Sequence, residues 1–310
     1  MKLIQSLSDL DAATLRNSSV SIGNFDGVHR GHARLVERLV ARARQLAGPA
    51  VVFTFDPHPA TLLRPEMAPI PLTWAERKAE LLGRLGVDIV VAYPTSRDLL
   101  ALAPEDFFSQ ILQQSLAARA IVEGPDFSFG RNRAGTIEVL RGFCMDHGVS
   151  LEVVDPLEHA GQAISSSRIR QCIARGKMDE ARSMLTQPYR LRGLVVEGAA
   201  RGRQLGFPTA NLDRIDTVVP GFGVYAGWSL LPSGRWPSAI HVGPCPTFGE
   251  MRARVEVHLI GFSGSLYGQL LEVDFLTRLR DILAFPDVGS LTRQLQQDVA
   301  TATEACRSEA

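Results

Sequence analysis

The chain has 310 residues, enough for two domains of ordinary size. Its 33 basic and 33 acidic residues cancel, so no global field selects nucleic acid or a membrane surface as a partner. Hydrophobic residues make up 45%, which excludes global disorder, and no apolar run reaches membrane-spanning length. The four cysteines, Cys144, Cys172, Cys245 and Cys306, include no C-x-x-C pair. They read as thiols of a reducing compartment rather than a disulfide framework. The stretch from Met1 to Leu10 lacks the apolar core of a secretory signal, so the expected location is the cytoplasm.

The first half alternates short apolar runs with amphipathic ones. Strands are predicted at Val20–Gly23, Ala50–Phe55, Val87–Tyr93, Arg119–Glu123 and Ser150–Val154. Helices are predicted at Gly31–Ala47, with Leu35, Leu39, Val40 and Leu46 on the apolar side, and at Thr73–Leu85, Pro104–Gln114 and Thr136–His147. Strands spaced by helices imply an α/β domain with a parallel sheet covered on both faces. After about Leu185 the pattern changes. Strands are predicted at Leu191–Val196, Val224–Leu231, Ser238–Val242, Arg254–Ile260 and Leu270–Leu276, with no long helix between them. This half reads as all-β, an antiparallel barrel, closed by a helix over Val288–Ala305. The two domains are expected to be residues 1–185 and 186–310.

The segment Ser21-Ile22-Gly23-Asn24-Phe25-Asp26-Gly27-Val28-His29-Arg30-Gly31-His32 reads as a strand, a glycine-punctuated loop and a helix start near Val28. A helix N-terminus offers free backbone N–H groups and a positive dipole end, which suits phosphate. Glycine permits close backbone approach, and the imidazoles of His29 and His32 add donors. A zinc pair would need at least one further ligand with suitable spacing, and a purely structural pair of histidines is the third reading. In a parallel sheet, ligands collect beyond the carboxyl ends of the strands. Phe55-Asp56-Pro57-His58-Pro59 and Gly124-Pro125-Asp126-Phe127-Ser128-Phe129-Gly130 lie at such ends. Ile164-Ser165-Ser166-Ser167-Arg168-Ile169-Arg170 reads either as a capped helix with solvated arginines or as a second anion site. In the second half, Gly198, Arg201, Gly202, Arg203 and Gly206 form a glycine–arginine loop. Phe207-Pro208-Thr209-Ala210-Asn211 follows it, and in a strand Thr209 and Asn211 share one face. Their hard oxygens suit a nucleotide-borne Mg²⁺.

The G-x-F-D-G-V-H-x-G-H loop together with S-S-x-R-I-R resembles the nucleotidylyltransferase superfamily. With F-D-P-H-P and D-F-x-F-G in the same order, the first half resembles the bacterial FAD synthetase module, which transfers AMP from ATP to FMN. The resemblance implies that His29 and His32, in the loop of Gly23, Phe25, Asp26 and Gly31, hold the phosphates and stabilise the transferring α-phosphoryl. It implies triphosphate contacts for Ser166, Ser167, Arg168 and Arg170, and places Asp126 beside the reacting groups.

The second half resembles the bacterial riboflavin kinase module through G-x-x-R-G-R-x-L-G-F-P-T-A-N, Gly223-Val224-Tyr225-Ala226, Pro246-Thr247-Phe248, Val255-Glu256-Val257-His258, Leu266-Tyr267-Gly268 and Leu279-Arg280. That family folds as a six-stranded antiparallel barrel with a C-terminal helix. The resemblance implies that Pro208, Thr209 and Asn211 bind Mg-ATP, that Thr209 and Asn211 face the metal, that Glu256 is the general base and that the glycine–arginine loop covers phosphates. The sequence departs from the family pattern at Thr186-Gln187, His241, Cys245, Gly261, Ser265 and Ile282. The whole implies a bifunctional enzyme that uses ATP and Mg²⁺ to convert riboflavin to FMN and FMN to FAD. Two alternatives stand at this stage: an FAD synthetase whose barrel only binds flavin or aids assembly, and an adenylyltransferase for another phosphate ester. Partners are small molecules, not nucleic acid or membrane, and the oligomeric state, a homo-oligomer included, stays open.

Overall fold

The computed structural model describes residues 1–11, 14–198, 201–247 and 250–309. They form two compact units, Met1–Pro69 with Trp74–Ser165, and Ile70–Thr73 with Ser166–Ala310.

The first unit is built on six strands: β1 (Lys2–Ile4), β2 (Ser18–Ile22), β3 (Ala50–Asp56), β4 (Ile89–Pro94), β5 (Ala118–Glu123) and β6 (Ser150–Val153). They pair in the order β1-β4-β3-β2-β5-β6, and every pairing is parallel. Alternate residues feed opposite faces, as the pleat demands. Val51 and Phe53 enter one core, Ala50 and Val52 the other. Helices α1 (Arg30–Gln45) and α2 (Ala75–Arg84) cover the second core with Val36, Leu39, Ala79 and Leu82. The first core is covered by Phe108 and Leu112, and by Leu140 of α3 (Ile137–His147). Helix α3 opens on the cap of Thr136, whose side chain accepts from Val139 N, and ends on Gly148 at φ +65°, a left-handed position that favours glycine.

Differences from the sequence expectation are local. Helix α1 begins after a cap at His29, because Val28 has φ +38° and cannot be helical. Its buried face is Val36, Leu39, Val40 and Ala43, so Leu35 and Leu46 flank the apolar stripe rather than centre it. The helix expected at Pro104–Gln114 starts as one α-turn and continues to Ser115 in π geometry. The edge strand β1 is too short to show an apolar pattern.

The second unit begins with helices α4 (Ser166–Ala174) and α5 (Met178–Met184). Six strands follow: β7 (Tyr189–Val196), β8 (Ala210–Asp213), β9 (Gly223–Leu231), β10 (Gly234–Thr247), β11 (Glu250–Leu259) and β12 (Leu270–Arg280). They close into an antiparallel barrel in the order β7-β8-β11-β10-β9-β12. Strand β7 alternates buried and half-buried residues along its whole length, the signature of a barrel wall with one face inward. Strand β8 was not among the segments predicted, because four residues beside a proline carry too little alternation. Helix α6 (Val288–Arg307) packs on β9, β10 and β12 through buried Ala302 and Cys306. Among the described residues no helix is long and apolar enough to cross a membrane.

Candidate active sites

In the first unit the chain winds from β2 to β3 and β4 on one side of the sheet and then returns to β5 on the other. The strand order therefore reverses between β2 and β5, which is where open parallel sheets bind ligands. The histidine loop follows β2, the Asp126 loop follows β5, and Asp56-Pro57-His58 follows β3 on the neighbouring strand. The three loops singled out from the sequence thus leave adjacent strands at the same edge of the sheet. Asp126 itself is exposed.

The histidine loop is held from several directions. Gly23 N donates to the Phe53 carbonyl at 3.0 Å. Ile22 N donates to Glu123 Oε1 at 2.6 Å, where β2 leaves the ladder. His29 caps α1 with its own ring: its Nδ1 accepts from His32 N at 3.2 Å. The two imidazoles stack with centroids 3.6 Å apart and planes 14° from parallel, and Phe25 leans on His32 at 5.0 Å. Gly31 makes this possible, since a Cβ there would stand 3.1 Å from His29 Nδ1. Phe25, Asp26 and His29 are buried. The His32 Nδ1 and Asn24 Oδ1 atoms are buried without a hydrogen-bond partner, so both have capacity left for a ligand. Burial pushes the His32 imidazole well below its ordinary value, and His29 and Lys78 add to that.

Two residues of this site were not singled out from the sequence. Lys78 of α2 is buried, and its Nζ donates to Thr54 Oγ1 at 3.2 Å. Glu123 is buried at the end of β5, and burial drives its carboxyl well above the usual range, against the hydrogen bonds from Ile22 and Ser21. In sequence, Lys78 is one more polar residue on an amphipathic helix and Glu123 one more residue before a glycine turn. Only the packing distinguishes them.

Ser166 and Ser167 are the first two residues of α4. Arg168 pairs with Glu180 at 3.4 Å and Arg170 donates to the Ile70 carbonyl at 2.8 Å, all within the second unit.

In the barrel, one row of cross-strand partners gathers the expected residues. Asn211 on β8 is in register with Glu256 on β11, Glu256 with His241 on β10, His241 with Val224 on β9, and Val224 with Arg280 on β12. The row lines a cavity of about 640 Å³ together with Thr209 and His258. Thr209 stands one residue before β8 and still reaches the same cavity as Asn211. The segment after β12 and helix α6 add the apolar lining residues Ile282, Leu283, Phe285, Leu291, Leu295 and Val299. Its size and its mixture of polar and apolar lining suit a drug-sized aromatic ligand with a polar tail.

Local contacts fix the polar lining. The His258 ring nitrogen Nδ1 donates to the Pro208 carbonyl at 2.8 Å, which pins the turn before Thr209. A Cβ on Gly198 would lie 2.2 Å from Asn211 Nδ2, so only glycine permits this approach. Gly202 lines the cavity, Gly206 turns the chain at φ +85°, and Arg203 is exposed outside the cavity wall. The Arg201 side chain, Ala199, Ala200 and Phe248 lie outside the described residues, as does the Cys245 side chain. Asn211 Oδ1 is buried with no hydrogen-bond partner. A hard oxygen left in that state fits a divalent cation. Glu256 has His241 Nδ1 and Arg254 each at 3.7 Å. The imidazole beside it holds the Glu256 carboxyl below the usual range, Arg254 adds to this, and burial opposes it. Arg280 is locked on α6 by two bonds to Asp298, at 2.8 and 2.6 Å.

Comparisons with known proteins divide along the same halves. The FAD synthetase family model matches residues 11–168 and the riboflavin kinase model matches residues 185–306. A bifunctional riboflavin kinase/FMN adenylyltransferase of Pseudomonas fluorescens is 36% identical over 303 residues, covering 97% of either chain. The protein of that name from Escherichia coli K12 is 34% identical over 305 residues, covering 98% of this chain and 97% of its own. A crystal structure described as a macrolide-efflux protein from Streptococcus pneumoniae has a TM-score of 0.87 at 32% identity, covering 97% of this chain and 98% of that one.

Proposed function

The chain belongs to the family of bifunctional riboflavin kinase/FMN adenylyltransferases, and we propose how its residues divide the two ATP-dependent reactions. Residues 1–185 adenylylate FMN and residues 186–310 phosphorylate riboflavin. The reading with a merely flavin-binding barrel and the reading with another phosphate-ester acceptor give way to this one.

In adenylyl transfer a phosphate oxygen of FMN attacks the α-phosphorus of ATP, and pyrophosphate leaves. No protein nucleophile is needed; alignment and charge stabilisation are. His29 and His32 meet the transferring group from the first turn of α1, where backbone N–H groups and the helix dipole already favour negative charge. Their stacked rings and the cap bond leave little rotational freedom. A neutral His32 acts as a hydrogen-bond partner without competing for protons. Asp126 comes from the loop across the strand reversal. Ser166, Ser167, Arg168 and Arg170 bind the triphosphate.

In the kinase reaction the terminal ribityl hydroxyl of riboflavin attacks the γ-phosphorus of ATP. Glu256 takes the hydroxyl proton; its lowered pKa keeps it ionised at neutral pH, and the same neighbours that lower it weaken it as a base, so its role rests on its position in the cavity. Thr209 and Asn211 would hold the Mg²⁺ of the nucleotide, which when bound neutralises phosphate charge. Gly198, Arg201, Gly202, Arg203 and Gly206 of the glycine–arginine loop would cover the ATP phosphates. The apolar lining residues of the segment after β12 and of α6 take the isoalloxazine ring. The observation that carries this reading is the alignment of Asn211, Glu256 and His241 on three neighbouring strands over one cavity. A cytoplasmic location suits the ATP and the free thiols Cys144, Cys172 and Cys306.

The test is to incubate the purified chain with riboflavin, ATP and Mg²⁺ and resolve the flavins chromatographically. FMN and then FAD are expected, and EDTA abolishes the first step. Untouched riboflavin with FMN still converted to FAD would overturn the kinase half.

A further inference from the structure

The adenylyl-transfer site contains a buried cation to which no role has been assigned above. Lys78 is 8% exposed. An ammonium carries donors only, so in its 3.2 Å contact with Thr54 the hydroxyl oxygen accepts. The single Thr54 proton is thereby directed to the Asn24 carbonyl, 3.1 Å away. The relay from Lys78 through Thr54 to Asn24 has one direction and ends on the histidine loop. That loop is strained: Phe25 has φ +45° and Val28 φ +38°, a left-handed region unfavourable for bulky and β-branched residues. Such conformations persist only where the surroundings hold them. The ammonium also interacts electrostatically with Asp26 in the loop, Asp56 at the end of β3 and His32 in the first turn of α1. It therefore acts on the histidine loop, on the end of β3 and on the first turn of α1. Burial lowers its pKa, and the two carboxylates counteract this. A buried lysine is costly unless it is paired, and its pairing here converges on the loop.

We propose that Lys78 is a positioning residue for adenylyl transfer: through Thr54 it fixes the Asn24 carbonyl, and with it the strained loop that aims His29 and His32 at the transferring phosphoryl group. The proposal rests on the assignment of FMN adenylylation to the first half. It separates Lys78 from a lysine that merely fills space, because the effect passes through a specific hydroxyl.

The test is a double-mutant cycle on the full chain with Lys78→Met and Thr54→Val, both close in shape to the original residues. Each single variant is expected to lower kcat for FMN adenylylation about 10- to 100-fold, the cost of misplacing reacting groups by about an ångström. KM for ATP changes far less, and phosphorylation of riboflavin is unchanged. The double variant is no slower than the worse single one, since both cut the same relay. Unchanged kcat, or losses that multiply in the double variant, would overturn the proposal. If Lys78→Met does not fold, Lys78→Gln takes its place and the same coupling to Thr54→Val is required. An unmodified chain that fails to adenylylate FMN would instead refute the functional assignment beneath it.

Discussion

Replacing Gly198 by alanine puts a single methyl group against the side-chain amide of Asn211, which lines the barrel cavity. The added Cβ would lie 2.2 Å from Asn211 Nδ2, 2.5 Å from its Cγ and 2.7 Å from its Oδ1, where ordinary contact begins at 3.4 Å. Something must move by about 1.2 Å, the gap between those two distances. Asn211 is 9% exposed, and its backbone is held in a strand paired to Val196 on one side and Glu256 on the other, so only its side chain is able to yield. Either the Asn211 amide turns away or Gly198 retreats, and both end the close approach of the two residues. Misplacement of about 1 Å costs on the order of 10²-fold in rate, or about 2.7 kcal/mol of transition-state stabilisation. The assay is the initial rate of FMN formation from riboflavin and Mg-ATP, with adenylylation of added FMN as the internal control. A large loss in the first with no change in the second is expected. Kinase activity indistinguishable from that of the unaltered chain would refute the close approach of Gly198 to a working Asn211.

Two further predictions concern buried ionisable groups near the histidine loop. Glu123 has its pKa raised in the folded state, so its contribution is full below the ordinary carboxylate value and is lost as pH rises. Glu123→Gln keeps an acceptor for Ile22 N and removes the titration. Relative to the unaltered chain, the variant gains stability with rising pH above about 4.5, by up to about 1.4 kcal/mol per unit, measured as the difference in denaturant unfolding at matched pH. A stability difference that does not vary with pH contradicts this. His32 has its pKa lowered, so its contribution is present above the ordinary imidazole value and is lost on acidification. The melting temperature of the unaltered chain should fall more steeply below about pH 6.5 than that of His32→Gln; parallel curves would show that His32 protonates freely when folded.

The architecture was largely legible because its signals are long. Parallel strands buried on both faces read as apolar runs, and barrel strands alternate. The helix boundary at the phosphate loop was misplaced because helical propensity does not report the positive φ of Val28. Strand β8 escaped because its pairing with β11, not its composition, makes it a strand. Among the candidate site residues, His29, His32, Thr209 and Asn211 stood out through motif spacing, and Glu256 only through the resemblance to the riboflavin kinase family. Lys78, Glu123 and Thr54 did not, since their significance lies in burial and in partners more than 20 residues away along the chain. His241 was visible only as a departure from the family pattern; the structure places its Nδ1 3.7 Å from the Glu256 carboxylate.

The central claim, two separate active sites on one chain, is most directly tested by complementation. Glu256→Gln supplied with FMN should make FAD but leave riboflavin untouched, and His32→Ala should stop at FMN. Mixed, the two purified variants should carry riboflavin through to FAD, with FMN released by one and consumed by the other. If either folded variant loses both activities, or if the mixture makes no FAD from riboflavin, the two reactions do not occupy separate sites and the account is wrong.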